Sequence, residues 1–400
     1  MSGKPIAPET ALARLMDDGY EAEVKQQYLL VHQVPFVTRD RTVQRGTLVC
    51  PYVESAGEVL PPDNHQVWWT EEAPCFADGQ PLRQILHSEN LHELFAGCRV
   101  RHHFSNKPHG SSGFSEHYSK MVHYIGLISD QARVIDPGAD ARTWRVVEHT
   151  DDESVFRYAD SASARAEILS VANRLAAPKI AIIGLGGTGA YVLDLVAKTP
   201  LGEIHLFDGD IFRQHNAFRA PGAAHIDDLR ERLSKAEYFQ RKYDPMRRGI
   251  VCHPYYLIDA NLGELREFSF VFVCVDDGPA RALIGNHLRE CGTPYVDVGM
   301  DITFVPATSA LVGTCRSTLV TPQQSEHVSR YVPTMKNDEE NLYGTNIQVA
   351  DMNMLNAALA VMMWKQHSGF YQDDFGAHHV TYSVNSQSLT RDVLSKVPSP

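Results

Sequence analysis

The sequence predicts an α/β protein: a Rossmann-like doubly wound sheet preceded by a smaller α+β domain. Residues 178–189 read PKIAIIGLGGTG, an apolar run of strand length that ends in a cluster of glycines before a helical pattern begins at Ala190. Downstream, short apolar runs alternate with helical stretches, as strands and crossover helices of a parallel sheet do. The 400 residues exceed the usual size of one core, so two domains are expected. An acidic, small-residue stretch beginning at Asp151, DDESVFRYADSASA, sets the boundary and gives domains 1–150 and 151–400.

In the first domain, residues 10–16 predict a short helix, and 20–37 (YEAEVKQQYLLVHQVPFV) predict extended segments that end near Pro35. Gly46–Val53 and His65–Thr70 add strands, separated by the loop SAGEVLPPDN. Ser115–Ala132 places Tyr118, Met121, Val122, Ile125 and Ile128 at helical spacing, so a helix packs on those strands. DPGADA at 136–141 breaks the pattern, and Trp144–Val147 predicts one further strand. His102 and His103, beside Arg99 and Arg101, have no third ligand at metal spacing and are expected on a solvated surface. Cys75 is expected to be buried, and Trp68 and Trp69 to be core.

The second domain opens with a helix that Ser161 or Ser163 caps and that runs to about Leu175, with Arg165 on it. Ile180–Ile183 is a strand covered on both faces. Tyr191, Val192, Leu195 and Val196 form one apolar helix face, and Glu203–Phe207 is a second strand closing in Asp208. Asp227–Lys242 predicts a charged helix carrying Lys235, and Pro245 and Gly249 break it before the strand Ile250–His253. Phe270–Val275 is a strand ending at Asp276 and Asp277, followed by the helix Arg281–Cys291 and the strand Pro294–Val298. Ser309–Thr321 predicts an antiparallel extension and Gln323–Tyr343 a polar loop. Thr345–Gln366 predicts a helix with Ile347, Ala350, Met354, Leu355, Ala358, Val361 and Met362 on one side.

Composition narrows the function. With 43% hydrophobic and 22% charged residues the chain reads as soluble and globular, and its formal net charge of −12 argues against a nucleic-acid partner. No apolar run reaches the length of a membrane span and the start, MSGKPIAPET, has no signal-peptide core, so the expectation is a cytoplasmic protein with no membrane partner. The seven cysteines (Cys50, Cys75, Cys98, Cys252, Cys274, Cys291 and Cys315) include no CxxC pair, which fits reduced, mostly buried thiols.

Gly184, Gly186, Gly187 and Gly189 fit the GxGxxG fingerprint, in which glycine lets the backbone turn tightly and approach a ligand while the next helix offers N–H groups to an anion. That fingerprint serves NAD, FAD and other nucleotides alike. The residues that follow discriminate: Asp208, Asp210, Asn216, Arg219, then Lys235, then the strand end at Asp276. A redox Rossmann domain has no use for an arginine, a lysine and a strand-end acid in this order. A site that binds a triphosphate with magnesium and stabilises attack on its α-phosphate needs all three.

GLGGTG, the DGDxxxxxNxxR string from Asp208 to Arg219, the lysine sixteen residues on and the VDD triplet resemble the ubiquitin-activating, ThiF/MoeB-like adenylyltransferase family over roughly residues 155–370. The whole chain is similar to a bacterial subgroup with an extra amino-terminal domain, associated with ubiquitin-like modifiers. The resemblance implies ATP and Mg2+, with the four glycines, Asp208 (for the ribose), Asn216 (for the phosphates or metal shell) and Asp210 binding the nucleotide. It gives Arg219 and Lys235 as transition-state cations and Asp276 as the magnesium ligand. Arg165 would reach the partner subunit's site in trans, so a homodimer is implied. The polar loop stands where the family's crossover loop holds the modifier's tail, and Cys315 is the thiol nearest to it. Many family members hold zinc in two CxxC pairs, and this chain, lacking them, is expected to hold none.

The function expected is ATP-dependent adenylation of the carboxyl terminus of a ubiquitin-like protein, with a conjugating enzyme as a further partner. Three alternatives stand beside it, one of which stays inside the family and changes the substrate to a sulfur-carrier protein, a peptide or a modified nucleoside carboxylate. An NAD-dependent oxidoreductase would leave Arg219, Lys235 and Asp276 without a role, and a non-catalytic scaffold for a conjugating partner would tolerate loss of Asp276.

Overall fold

The computed structural model describes residues 11–55, 58–108, 110, 113–145, 154–158, 160, 168–334 and 347–393. These divide into two compact units, the first within Met1–Thr150 and Tyr158–Ser170, the second within Asp151–Arg157 and Val171–Pro400. Among the described residues no helix is long and apolar enough to cross a membrane.

The first unit is an antiparallel sheet with a helix laid across it. Its elements are α1 (Ala11–Asp17), β1 (Ala22–Lys25), β2 (Tyr28–Val37), β3 (Val43–Pro51), the small hairpin β4 (Glu54–Ser55) and β5 (Glu58–Val59), β6 (Gln66–Trp69), β7 (Leu86–Phe95), β8 (Cys98–Ser105) and α2 (His117–Ile135). Strand order is β1-β2-β3-β6-β8-β7. Met121, Tyr124, Ile125 and Ile128 of α2 pack with Leu29, Val31, Leu48, Val67, Trp69 and Phe104 in one core. Burial of such side chains contributes about 1.5–3 kcal/mol each.

β2 ends at Val37, where the sequence reading places the end of the extended stretch, and it runs through Pro35. β1 pairs with β2 only from Tyr28 to Val31, so Pro35 lies beyond the paired stretch, where its missing N–H leaves no ladder bond unmade. β7 and β8 were not anticipated, and His102 is on β8 with 1% of its surface exposed, not on a solvated patch. His102 takes an inward position between Val100 and Phe104, while His103 stacks on Trp68 with ring centroids 3.9 Å apart. Cys75 and Trp69 are buried as expected, and Trp68 is half-buried. Trp144 belongs to no strand; residues 146 and 147 of that expected element lie outside the described residues.

The second unit carries β9 (Lys179–Ile183), α3 (Gly187–Val196), β10 (Glu203–Phe207), α4 (Lys235–Tyr243), β11 (Ile250–His253), β12 (Phe270–Val273), α5 (Gly278–Cys291), β13 (Tyr295–Val305), β14 (Ala310–Val320), α6 (Ala350–His367), β15 (Ala377–Ser383) and β16 (Ser388–Val393). The sheet order is β11-β10-β9-β12-β13-β14-β15-β16. β11 to β13 run parallel and the last three strands join antiparallel. Side chains alternate between two cores. Ile180 and Ile182 face α3, α4 and α6, whereas Ala181 and Ile183 face α5 and Leu262 and Leu265. This is the doubly wound sheet the sequence predicts.

Local differences have local causes. The expected helix 227–242 is two pieces, Ile226–Glu231 and α4, because Arg232 adopts a left-handed conformation (φ 54°) and Ser234 starts a new helix. The Ser234 hydroxyl accepts from Glu237 N while the Glu237 carboxylate accepts from Ser234 N, a capping box. β12 stops at Val273, two residues short of the expected end. β13 runs on to Val305 as the partner of β14, and β15 and β16 extend the apron beyond what the sequence suggested. In α6, Met354 and Met362 point outward at 53% and 43% exposure, and the buried side is formed by Met352, Asn356, Leu359, Ala360, Met363 and Trp364.

Candidate active site

The chain proceeds from β9 to β10 on one side and from β12 to β13 on the other, so the sheet's switch point lies between β9 and β12. Ligands of doubly wound sheets bind outside the carboxyl ends of strands at such a point. The glycine turn is there. Gly184 has φ +87°, and a Cβ on it would lie 2.7 Å from the Cys274 carbonyl oxygen of the strand end opposite. A Cβ on Gly189 would lie 1.9 Å from the Gly184 oxygen, and one on Gly187 would lie 2.1 Å from the Asn353 amide nitrogen. At Gly186 a Cβ would meet nothing within 4 Å. Three glycines therefore let the turn pack against itself and its neighbours, and the fourth keeps an open face at the start of α3. No side chain caps that helix, which leaves its first N–H groups for an anion.

Asp208 ends β10, buried, and both its oxygens are engaged: Oδ2 accepts from Leu185 N in the glycine turn at 2.6 Å, and Oδ1 accepts from Asp210 N at 2.8 Å. Burial pushes this carboxyl above its ordinary value, against the pull of Lys235 and the two N–H donors. Lys235, the first residue of α4, is buried and places Nζ 3.4 Å from Asp208 and 2.7 Å from Asp210. Asp210 also accepts a hydrogen bond from the Tyr256 hydroxyl. Burial raises Asp210, but Lys235 and Tyr256 outweigh it and hold the carboxyl below its ordinary value. The same bond, with burial, pushes the Tyr256 phenol up to about 12.

Between these acids and α4, Asn216 is buried, and its Oδ1 accepts from Arg213 N at 2.8 Å, closing the turn 213–216. That turn sets Arg219, whose N–H bonds the Asn216 carbonyl. The Arg219 Nε is buried and has no hydrogen-bond partner among the described residues. Burial and the positive charges of Arg219, Arg213 and Lys235 lower His215 from its ordinary value, a sign of concentrated cations in a protein of negative net charge.

Across the switch point, Cys274 N bonds the Ile183 carbonyl at 2.8 Å, so the strand end bearing Asp276 lies against the glycine turn. Asp276 is exposed, and the cap of α5 is its neighbour Asp277, whose carboxylate accepts from Ala280 N. The residue that caps α5 is thus Asp277 and not Asp276.

Other expected site residues stand apart. Arg165 lies outside the described residues, as do residues 335–343 of the polar loop. Cys315 is 1% exposed and burial pushes its thiol up to about 11, which disfavours the thiolate an acyl transfer requires. A cavity of about 220 Å³ lined by residues such as Leu319, Met363 and His378 includes Gln323 at the start of the polar loop but none of the expected nucleotide-site residues. Sequence reasoning missed Tyr256, in a loop with no motif, and Asn353, which accepts from Thr188 Oγ1 at 2.9 Å beneath Gly187.

The residues present fit a magnesium nucleotide. The partnerless Nε of Arg219 is a donor awaiting an anion, and the open face at Gly186 admits one. Asp276 is a hard oxygen donor; Mg2+ characteristically takes one or two carboxylates and completes its shell with phosphates and water. Among the described residues no group of three or more His, Cys, Asp or Glu side chains converges as a metal site of its own.

Comparison with known proteins divides the sequence in the same region. Residues 10–161 match a domain of unknown function (DUF6791), and residues 162–384 match the ThiF family. No curated protein matches the chain. Among solved structures, E. coli MccB with MccA-N7isoASN is 18% identical, with 58% of this chain and 69% of that chain covered and a TM-score of 0.46. E. coli MccB with ATP is 18% identical, with coverages of 59% and 69% and a TM-score of 0.46. PaaA is 15% identical, with coverages of 56% and 75% and a TM-score of 0.44. The ThiF match spans more than half of the chain, and the chain belongs to the ThiF family of adenylating enzymes.

Proposed function

We propose that this protein uses ATP to adenylate the carboxyl terminus of a ubiquitin-like protein in the cytoplasm, acting as a homodimer. The observation that carries the adenylation reading is the partnerless, buried Nε of Arg219, in a region where Lys235 and Arg213 add positive charge. An oxidoreductase needs no such cluster.

In the reaction a carboxylate oxygen forms a bond to the α-phosphorus, the bond from that phosphorus to the bridging oxygen breaks, and pyrophosphate leaves. The nucleophile is weak and the triphosphate repels it, so positive charge must stand where negative charge gathers. Arg219 and Lys235 supply it. The glycine turn and the start of α3 hold phosphate oxygens, and Asp208 fixes the turn through Leu185 N while offering the acid that meets the ribose. Magnesium held at Asp276 would neutralise charge on the β- and γ-phosphates.

With Cys315 buried, the adenylate is the product, or passes directly to a thiol on a partner such as a conjugating enzyme. The ubiquitin-like substrate is supported by the resemblance of the motifs to modifier-activating enzymes. The test is exchange of labelled pyrophosphate into ATP in the presence of candidate ubiquitin-like proteins. Arg219→Ala and Asp276→Ala are each expected to lower exchange about 100- to 1,000-fold with folding intact. Full exchange in either variant overturns that residue's assignment, and exchange with no candidate overturns the substrate.

A further inference from the structure

Behind the candidate site lies a buried ionic network that the mechanism above does not use. Asp297, in the middle of the sheet on β13, has no exposed surface. Arg281 on α5 brings Nε to 3.0 Å from one of its oxygens, and Arg316 on β14 brings a terminal nitrogen to 2.7 Å from the other. The N–H vectors do not aim well at those oxygens, so these are close ion pairs rather than aligned hydrogen bonds. A side chain at position 299 would collide with the Arg316 guanidinium, 2.7 Å from its Nε, and Gly299 leaves it room.

Removing three charged groups from water is expensive, and such networks are often no more stable than an apolar replacement. Its retention calls for a second account, and the remaining donors of Arg281 give one. One terminal nitrogen donates to the Val275 carbonyl at 2.6 Å and the other to the Pro333 carbonyl at 3.2 Å. Val275 immediately precedes Asp276. Its peptide plane is thereby held from one side by Arg281, while the preceding Cys274 carbonyl is packed against Gly184 from the other.

We propose that Arg281 is a positioning residue for the metal-binding carboxylate: held by Asp297, it fixes the Val275–Asp276 peptide so that Asp276 faces the nucleotide's metal. The inference rests on the reading of Asp276 as the magnesium ligand. Arg281 touches neither metal nor nucleotide; it acts through the backbone. Lysine in its place keeps the charge opposite Asp297 but cannot span Asp297, Val275 and Pro333 together, because its ammonium is a single point on a flexible stem.

The test is calorimetric titration of the full-length protein with ATP, in MgCl2 and in EDTA, with thermal unfolding as the control of fold. In the parent, MgCl2 strengthens ATP binding. In Arg281→Lys that strengthening is expected to fall about ten- to a hundredfold, the range for loss of a group that orients a metal ligand, while binding in EDTA is unchanged. A second variant, Arg281→Met with Asp297→Leu and Arg316→Leu, leaves no buried charge. It is expected to fold at least as well as the parent, as apolar replacements of buried ion networks do, and to lose the magnesium effect in the same way. If either folded variant keeps the parent's magnesium effect, or loses affinity equally in MgCl2 and EDTA, the inference is overturned. Loss of fold in Arg281→Lys passes the decision to the triple variant, and loss of fold in both makes the network structural and overturns it. A parent that shows no magnesium effect overturns the reading of Asp276 itself, and the two failures are thereby told apart.

Discussion

Gly186 and Gly189 are three residues apart in one turn and answer to different constraints. A methyl group on Gly189 would press on the Gly184 carbonyl, which is backbone and cannot swing aside, whereas one on Gly186 enters open space. Gly189→Ala is therefore expected to destabilise the fold by about 1–3 kcal/mol or more, the cost of overpacking a close-packed site. Gly186→Ala should leave urea denaturation unchanged and weaken ATP binding, since its methyl occupies the face where the phosphates approach. Equal effects of the two substitutions on stability would contradict this division. The glycines, Asp208, Asn216, Arg219, Lys235 and Asp276 were legible in the sequence because they form a motif of fixed spacing. Tyr256 and Asn353 were not, because their roles depend on partners far away in the chain: Tyr256 meets Asp210 across 46 residues, and Asn353 meets Thr188 across 165.

At the scale of elements, β9 and β12 were readable because each is an apolar run covered on both faces, and so is uninterrupted in the sequence from Ile180 to Ile183 and from Phe270 to Val273. β16 was not, because all six of its residues are exposed, and β7 was not, because most of its ten residues face solvent and carry no alternation. Lys235 illustrates the intermediate case: the helix was found, its start was misplaced, and the capping box at Ser234 and Glu237 was the signal that would have placed it. The outward side of α6 bears on assembly. Met354 and Met362 are exposed apolar groups on a helix whose other side fills the core, and such residues are a natural seat for a second copy of the chain. Replacing both by lysine should convert a dimer into a folded monomer, read as a halved mass by light scattering. A parent that is monomeric and active, or a double variant that remains dimeric, removes α6 from the interface.

Among the described residues of the whole molecule, burial lowers ten histidines below their ordinary value: His65, His102, His103, His117, His123, His215, His253, His327, His367 and His379. They are spread over both units, so their titration bears on the stability of each. His379 is the clearest case. Its ring lies between the hydroxyls of Thr318 and Thr381 at 2.9 and 3.0 Å, and burial, aided by Arg316, lowers it to about 4. The unfolded chain takes up that proton near pH 6.5. Between those values the unfolded state binds more protons than the folded one, so stability is full above the unfolded value and falls as the pH falls towards 4, by at most about 1.4 kcal/mol per pH unit for one such group. Asp208 and Asp297, raised by burial, act in the opposite sense, but they are two groups against ten. Thermal midpoints measured from pH 7.5 to pH 5 should therefore fall steadily, above the range where ordinary carboxylates titrate. His379→Gln, which stays neutral throughout, should flatten the slope relative to the parent. A midpoint that is level or rises on going from pH 7 to pH 5 would show that these imidazoles do take up protons in the folded state, and the reading of His379 as a neutral ring held between two hydroxyls would fail.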